Sequence, residues 1–353
     1  MIGNCGFIKN NIMKKQCVGI DISKDHLDCC IGCIDSDQNH KLQNNKRFSN
    51  NETGFKALLH WVSDLQVTEN LMYVMEATGV YYENLIYYLT ENDCKASVLL
   101  PNMVKHYVKS LNINTKTDKV DAEVLCRLGL ERRLGFWQKP SGIMRELKFL
   151  SREYREIKYK INQVKNQLHA RFYSCQCPES TEQRLKRQIA LLETQALEIE
   201  AEIRTLVMTD RSFYDKIQRV CTIPGVSFIT VVCVVAETNA FALISNSKQL
   251  TSYAGLDIQQ NQSGSREGKT RISKKGNSFI RYALYMPALC ASRFNPSMKS
   301  FYKNLTERKP AKKIAVTAVA RKLLCLIYVL WKKEEEFNMN YEENKNTDRV
   351  SPV

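Results

Sequence analysis

The chain has 353 residues, with 52 lysines and arginines against 37 aspartates and glutamates, and a formal net charge of +15. That length exceeds one ordinary domain and suits two or three, each burying its own core. So much positive charge narrows the partners to nucleic acid or an anionic membrane surface, because neutralising phosphates releases counterions.

The membrane option finds no support. The most apolar late run, Ile314 to Trp331, carries Arg321 and Lys322 at its centre and reads as a buried amphipathic helix. The N-terminus lacks the long apolar core and small-residue cleavage site of a leader, so a cytoplasmic protein is expected, with Met13 a second candidate start. Thirteen cysteines form an odd set without a leader, which favours reduced thiols. Neither Cys29, Cys30 and Cys33 nor Cys175 and Cys177 make paired zinc knuckles.

Two β-rich runs, QCVGIDIS and HLDCCIGCI, are joined by a polar turn at Lys24 and Asp25 that suits a hairpin, and Asp21 ends the first. A polar segment follows. Asn51 then caps a helix from Glu52 to Leu65, and the strand LMYVMEATG carries Glu76 at its exit. A helix over Tyr82 to Leu89, the strand KASVLL, and a short helix opened by Pro101 come next. The helical stretch KTDKVDAEVLCRL closes this part. Such alternation predicts a mainly parallel sheet flanked by helices, with ligands at the carboxyl ends of its strands.

From Ile143 the period changes. Ile143, Leu147, Leu150, Tyr154, Ile157, Ile161, Val164 and Leu168 form a heptad seam, and a second runs from Leu185 to Leu206. Joined by the turn-like CQCPES, the two predict an antiparallel coiled-coil hairpin with arms about 40 Å long. Such a seam suits either an intramolecular hairpin or a homo-oligomer contact. Residues 217 to 238 resemble a helix-hairpin-helix element, with Gly225 in the turn that presents backbone N–H groups to phosphate and Ser227 where a second glycine is usual.

Residues 259 to 282 are polar and read as a flexible loop, with Arg266, Lys269, Arg271, Lys274, Lys275 and Arg281 against the single acid Glu267. Glycines at 264, 268 and 276 let a phosphate chain approach the backbone, so Gly264 joins the expected nucleic-acid contacts. The final stretch from Glu334 to Val353 is polar and predicted disordered. The divisions are a tail at 1–14, an α/β domain at 15–140, the coiled-coil hairpin at 141–208, a mainly helical domain at 209–333 and a tail at 334–353.

Asp118 and Asp121 lie three residues apart and so side by side on a helix. One reading makes them a helix cap and a dipole partner. The other joins them to Asp21 and Glu76 as oxygen ligands for one or two Mg²⁺ ions, which stabilise the attacking and leaving oxygens at phosphorus. Ser263, followed by a glycine and six cationic side chains, offers a hydroxyl among charge-stabilising donors, with Ser265 as its competitor.

The series VGIDISK, MEATGVYYENL, TDKVDAEVLCRL, IPGVSFITVVCVVAE, LTSYAGLD, SGSREGKTRISKKGN and AVARKLLCLIYVL, from about Cys17 to Trp331, resembles the DEDD insertion-sequence transposases, which include the Piv-type DNA invertases. The resemblance implies an RNase H/RuvC-like N-terminal domain, a coiled-coil insertion and a C-terminal serine transposase domain. It places Asp21, Glu76, Asp118 and Asp121 on the family's acidic residues and Ser263 on its catalytic serine, where Gln262 replaces the usual preceding serine. It also implies Mg²⁺, donor and target DNA, and a structured noncoding bridge RNA. The rival readings are a RuvC-like nuclease, a site-specific invertase and a non-catalytic nucleic-acid binder. A sugar kinase or ATPase is set aside, since no later Gly-rich nucleotide loop follows VGIDISK.

Overall fold

A computed structural model of the chain describes residues 13–65, 70–113, 115–242, 244–260, 262–263, 266–268, 270–308 and 311–338. The chain divides into two compact units, Met1–Lys139 and Pro140–Val353.

The first unit is built on a five-stranded mixed sheet. β1 (Met13–Ile22), β2 (His26–Asp35) and β3 (His40–Ser49) form an antiparallel meander, while β4 (Leu71–Glu76) and β5 (Ala96–Leu99) run parallel to β1, giving the order β3-β2-β1-β4-β5. β3 replaces the polar segment expected between the first hairpin and the first helix. Its sequence, HKLQNNKRFS, is mostly exposed along an edge strand, so it lacks the apolar alternation that marks a half-buried strand.

Alternating side chains divide the sheet between two cores. Val18, Ile20 and Ile22 of β1 face α1 (Glu52–Ser63) and α2 (Glu83–Glu91), whose Phe55, Leu58, Val62, Leu85, Ile86 and Leu89 are buried with them. Asn51 caps α1 by accepting from the Gly54 N–H at 3.0 Å. Cys17 of β1 and Met72 and Val74 of β4 face the other way, toward α3 (Pro101–Ser110) and α4 (Asp118–Glu131).

α4 lies unusually close to the sheet. A Cβ on Gly19 would sit 2.2 Å from both the Ala122 carbonyl oxygen and the Cys126 amide nitrogen, so only glycine lets this helix seat on β1. The Cys126 thiol donates to the Cys17 carbonyl at 3.1 Å across the same contact.

The second unit begins with α5 (Gly142–Phe172) and α6 (Glu179–Met208), an antiparallel pair 31 and 30 residues long, each about 45 Å. Leu147, Ile157, Ile161 and Val164 bury against Ile189, Leu192, Ala196, Ile199 and Ile203, and Lys165 pairs with Glu193 at 2.7 Å. That apolar seam runs on into the core formed by α7 (Arg211–Cys221), α8 (Phe228–Glu237), α9 (Ser247–Tyr253), α10 (Ser278–Phe294), α11 (Pro296–Arg308) and α12 (Lys312–Lys333).

Among the described helices, α12 is long and apolar enough to cross a membrane. Val316, Val319, Ala320, Leu323, Leu324 and Ile327 are buried in the protein's own core, which accounts for its composition. Of the predicted disordered tail, residues 339–353 lie outside the described residues. Its first part is docked: Glu334, in a left-handed cap, pairs with Lys216 at 2.6 Å, and the Phe337 N–H donates to Thr222 Oγ1 at 2.8 Å.

One buried ion pair ties this unit together. Glu237, with a fully buried side chain, accepts from Arg152 Nε at 2.6 Å and Nη2 at 2.9 Å, and from Asn277 Nδ2 at 2.6 Å. Asn277 in turn caps α10 by accepting from the Phe279 and Ile280 N–H groups. Breaking such a pair from one side costs about 3–5 kcal/mol, because a charge is left buried alone.

Candidate active site

Asp21 leaves the sheet at the end of β1, and Glu76 ends β4 beside it, since Ile20 pairs with Met75 in the parallel ladder. Both stand on the face that α4 covers, at the carboxyl edge of the two central strands. Thr117 caps α4 by accepting from the Val120 N–H, so Asp118 and Asp121 occupy the first turn without being the cap. The close seat at Gly19, two residues before Asp21, brings that turn to the same edge.

The electrostatics confirm the crowding. Burial, then Asp121, Asp118, Asp28 and Glu76 in that order, push the Asp21 carboxyl up to about 6. Burial also raises Asp121; Lys116 pulls it back and Asp118 adds to the rise. Four carboxylates predicted from three stretches of sequence therefore share one electrostatic neighbourhood.

Two further members escaped the sequence reading. Asp28 is the cross-strand partner of Asp21, and Arg47 is the cross-strand partner of Asp28, so the three form a row across β1, β2 and β3. Arg47 Nε donates to Asp28 at 2.9 and 3.1 Å, and its Nη2 reaches Asp118 Oδ2 at 3.1 Å. A guanidinium thus bridges two of the five acids. The signal for Asp28 was a lone acid within HLDCCIGCI; Arg47 gave none, because its strand was not recognised.

As donors these carboxylates suit a hard divalent cation, which would relieve their mutual repulsion. Among the described residues, however, no group of three or more His, Cys, Asp or Glu is gathered closely enough to enclose an ion. The set is open, with Arg47 as its internal cation.

In the second unit, the stretch predicted as a flexible loop is a β-ribbon. β6 (Ile258–Gln259) pairs with β9 (Arg271–Ile272), and beyond them β7 (Gln262–Ser263) pairs with β8 (Arg266–Glu267). The ladders are two residues long, too short for any periodicity to show. Ser263 is exposed on β7, opposite Arg266. Gly264, Ser265 and Lys269 lie outside the described residues.

Arg271, Lys274 and Lys275 are exposed at the ribbon's base. Arg281 is spent differently: its Nη1 donates to the carbonyls of Ala254 at 2.8 Å, Gly276 at 2.9 Å and Asn277 at 3.3 Å, anchoring the ribbon to α10. Gly225 joins α7 to α8 with φ +93°, and a Cβ there would meet the Ala291 amide nitrogen at 2.7 Å, so its turn packs against α10.

Against this geometry stand the relatives. A DEDD transposase model of the IS110 type matches residues 18–174, and the model of the IS116/IS110/IS902 transposase family matches residues 217–303. The chain belongs to the IS110-type transposase family. The DEDD match implies an RNase H-like fold for the sheet unit. The pilin gene-inverting protein of Moraxella bovis is 28% identical over 335 residues, covering 94% of this chain and 100% of that protein. The transposase for insertion sequence element IS1111A of Coxiella burnetii is 26% identical over 272 residues, 68% of this chain and 72% of that one. This transposase is accordingly a DNA recombinase.

Proposed function

We propose that this transposase cuts and rejoins DNA through a covalent phosphoserine at Ser263, assisted by Mg²⁺ at its acidic edge and directed by a structured noncoding bridge RNA. The observation that supports it most is the placement of Asp21, Glu76, Asp118 and Asp121 toward one sheet edge, where burial first and the other acids after it raise Asp21 to about 6.

Asp21, Glu76, Asp118 and Asp121 would hold Mg²⁺, which supplies Lewis-acid polarisation of phosphoryl oxygens when bound. Ser263 Oγ forms a bond to phosphorus as the bond to a deoxyribose oxygen breaks, and the leaving oxygen ends with the proton that the hydroxyl gives up. The reverse attack by a new strand end reseals the DNA and frees the serine. Arg266, Lys269, Arg271, Lys274 and Lys275, with the backbone at Gly264, hold the phosphate chain. The Gly225 turn acts as a helix-hairpin-helix dock, Arg281 supports the ribbon from behind, and the α5–α6 hairpin acts as a coiled coil joining protomers. All of this suits a cytoplasmic protein.

The match along the full length of a pilin gene-inverting protein favours a second reading, site-specific inversion by the same chemistry. Inverted sites flanking a promoter or coding segment beside the gene would select it. A folded noncoding segment pairing with element ends and insertion site would select RNA-guided transposition. The residue roles are tested by incubating Ser263→Ala and Asp118→Asn proteins with donor DNA, target DNA and any element-encoded RNA. Neither variant is expected to recombine; full recombination by either removes that residue from the mechanism.

A further inference from the structure

The second unit holds a cleft of about 1020 Å³ between the base of the α5–α6 hairpin, the Gly225 turn and the outer face of α10. Arg155, Lys158, Arg204 and Lys313 line it against one acid, Glu200, which pairs with Arg204 at 2.8 Å, and Arg281 lines it with its Nη1 held by backbone carbonyls. Its floor is aromatic. Tyr282 and Tyr285, one helical turn apart on α10, line it while remaining 47% and 42% exposed.

The rings and cations are already interleaved. The Arg155 guanidinium lies 4.0 Å from the Phe279 ring centroid and 5.4 Å from that of Tyr282, and Arg204 lies 4.5 Å from that of Phe228. Flat π-faces beside delocalised cations form the surface on which unpaired bases stack while their phosphates are neutralised. A cleft of this volume takes a ligand of drug-like dimensions, such as a few nucleotides of one strand.

We infer that this cleft binds a short unpaired segment of single-stranded DNA, stacking its bases on Tyr282 and Tyr285. The excess of cations excludes an acidic-poor apolar helix as the natural occupant, and DNA is chosen over RNA because strand exchange by a recombinase exposes unpaired DNA. The proposal rests on the reading of this protein as one that breaks and exchanges DNA strands, and deepens it: strands opened at the ribbon need a place to be held.

The test uses the full chain and a fluorescein-labelled oligo-dT strand, with a random duplex and an oligo-rU strand of equal length as companions, read by anisotropy. Tyr282→Ala and Tyr285→Ala are each expected to weaken binding of the DNA strand roughly tenfold. Tyr282→Phe keeps the ring and the affinity, Lys158→Ala weakens it and flattens its salt dependence, and duplex binding stays unchanged in all four. Unchanged strand binding by both alanine variants overturns the proposal, as does oligo-rU binding tenfold tighter than oligo-dT. Loss of a concentration-dependent dimer in light scattering, with strand binding intact, would assign the cleft to a second copy instead. Failure of the unaltered protein to bind the duplex would strike the DNA reading itself, separately from the cleft.

Discussion

Asp21 stands half-buried among four other carboxylates, and its protonation is therefore coupled to folding. Its carboxyl titrates at about 6 in the folded protein, against 3.8 ordinarily. The fold favours the neutral form, so this contribution to stability is complete below the ordinary value and is lost as pH rises through about 6. In metal-free buffer, the melting temperature of Asp21→Asn minus that of the unaltered protein should grow from about pH 4 to about pH 7. A difference that stays flat across that range contradicts the crowding. Arg47 answers the same repulsion from the other side, by bridging Asp28 and Asp118. Arg47→Gln should bind Mn²⁺ several-fold more tightly by calorimetry, because a competing cation is gone, while melting lower in chelator. Weaker Mn²⁺ binding would make Arg47 a support of the metal site and not its rival.

At the scale of elements, legibility came from three different signals. The two arms of the hairpin carried an apolar period over many turns, the central strands showed as short β-rich runs buried on both faces, and the third helix showed through the proline that opens it. β3 was not legible, since an edge strand with one buried phenylalanine has no period to show. The ribbon bearing Ser263 was not, because its four strands are two residues each and too short to show any period. Four of the five acids were legible: strand ends announced Asp21 and Glu76 and the helical spacing announced Asp118 and Asp121, whereas Asp28 and Arg47 join only through strand register. Position of α4 rests on Gly19, and Gly19→Ala should cost at least about 1–3 kcal/mol by overpacking. The same change should weaken Mn²⁺ binding, as the helix carrying Asp118 and Asp121 is pushed off the sheet. Calorimetric melting with unchanged Mn²⁺ affinity would mean that the helix seat does not govern the acids.

Across the whole molecule, the chain combines a sheet unit that gathers acids with a helical unit that exposes a serine on a basic ribbon. Its net charge of +15 suits it to hold polyanions over much of its surface. Nuclease and serine-recombinase chemistries both use such parts, and they differ in one product: only the latter leaves protein bonded to DNA. The decisive measurement is therefore denaturing gel electrophoresis of protein incubated with labelled donor DNA, element RNA and Mg²⁺. A covalent protein–DNA species is expected, absent with Ser263→Ala and strongly reduced with Asp118→Asn. Cleaved DNA without any covalent species, formed equally by Ser263→Ala, would contradict it.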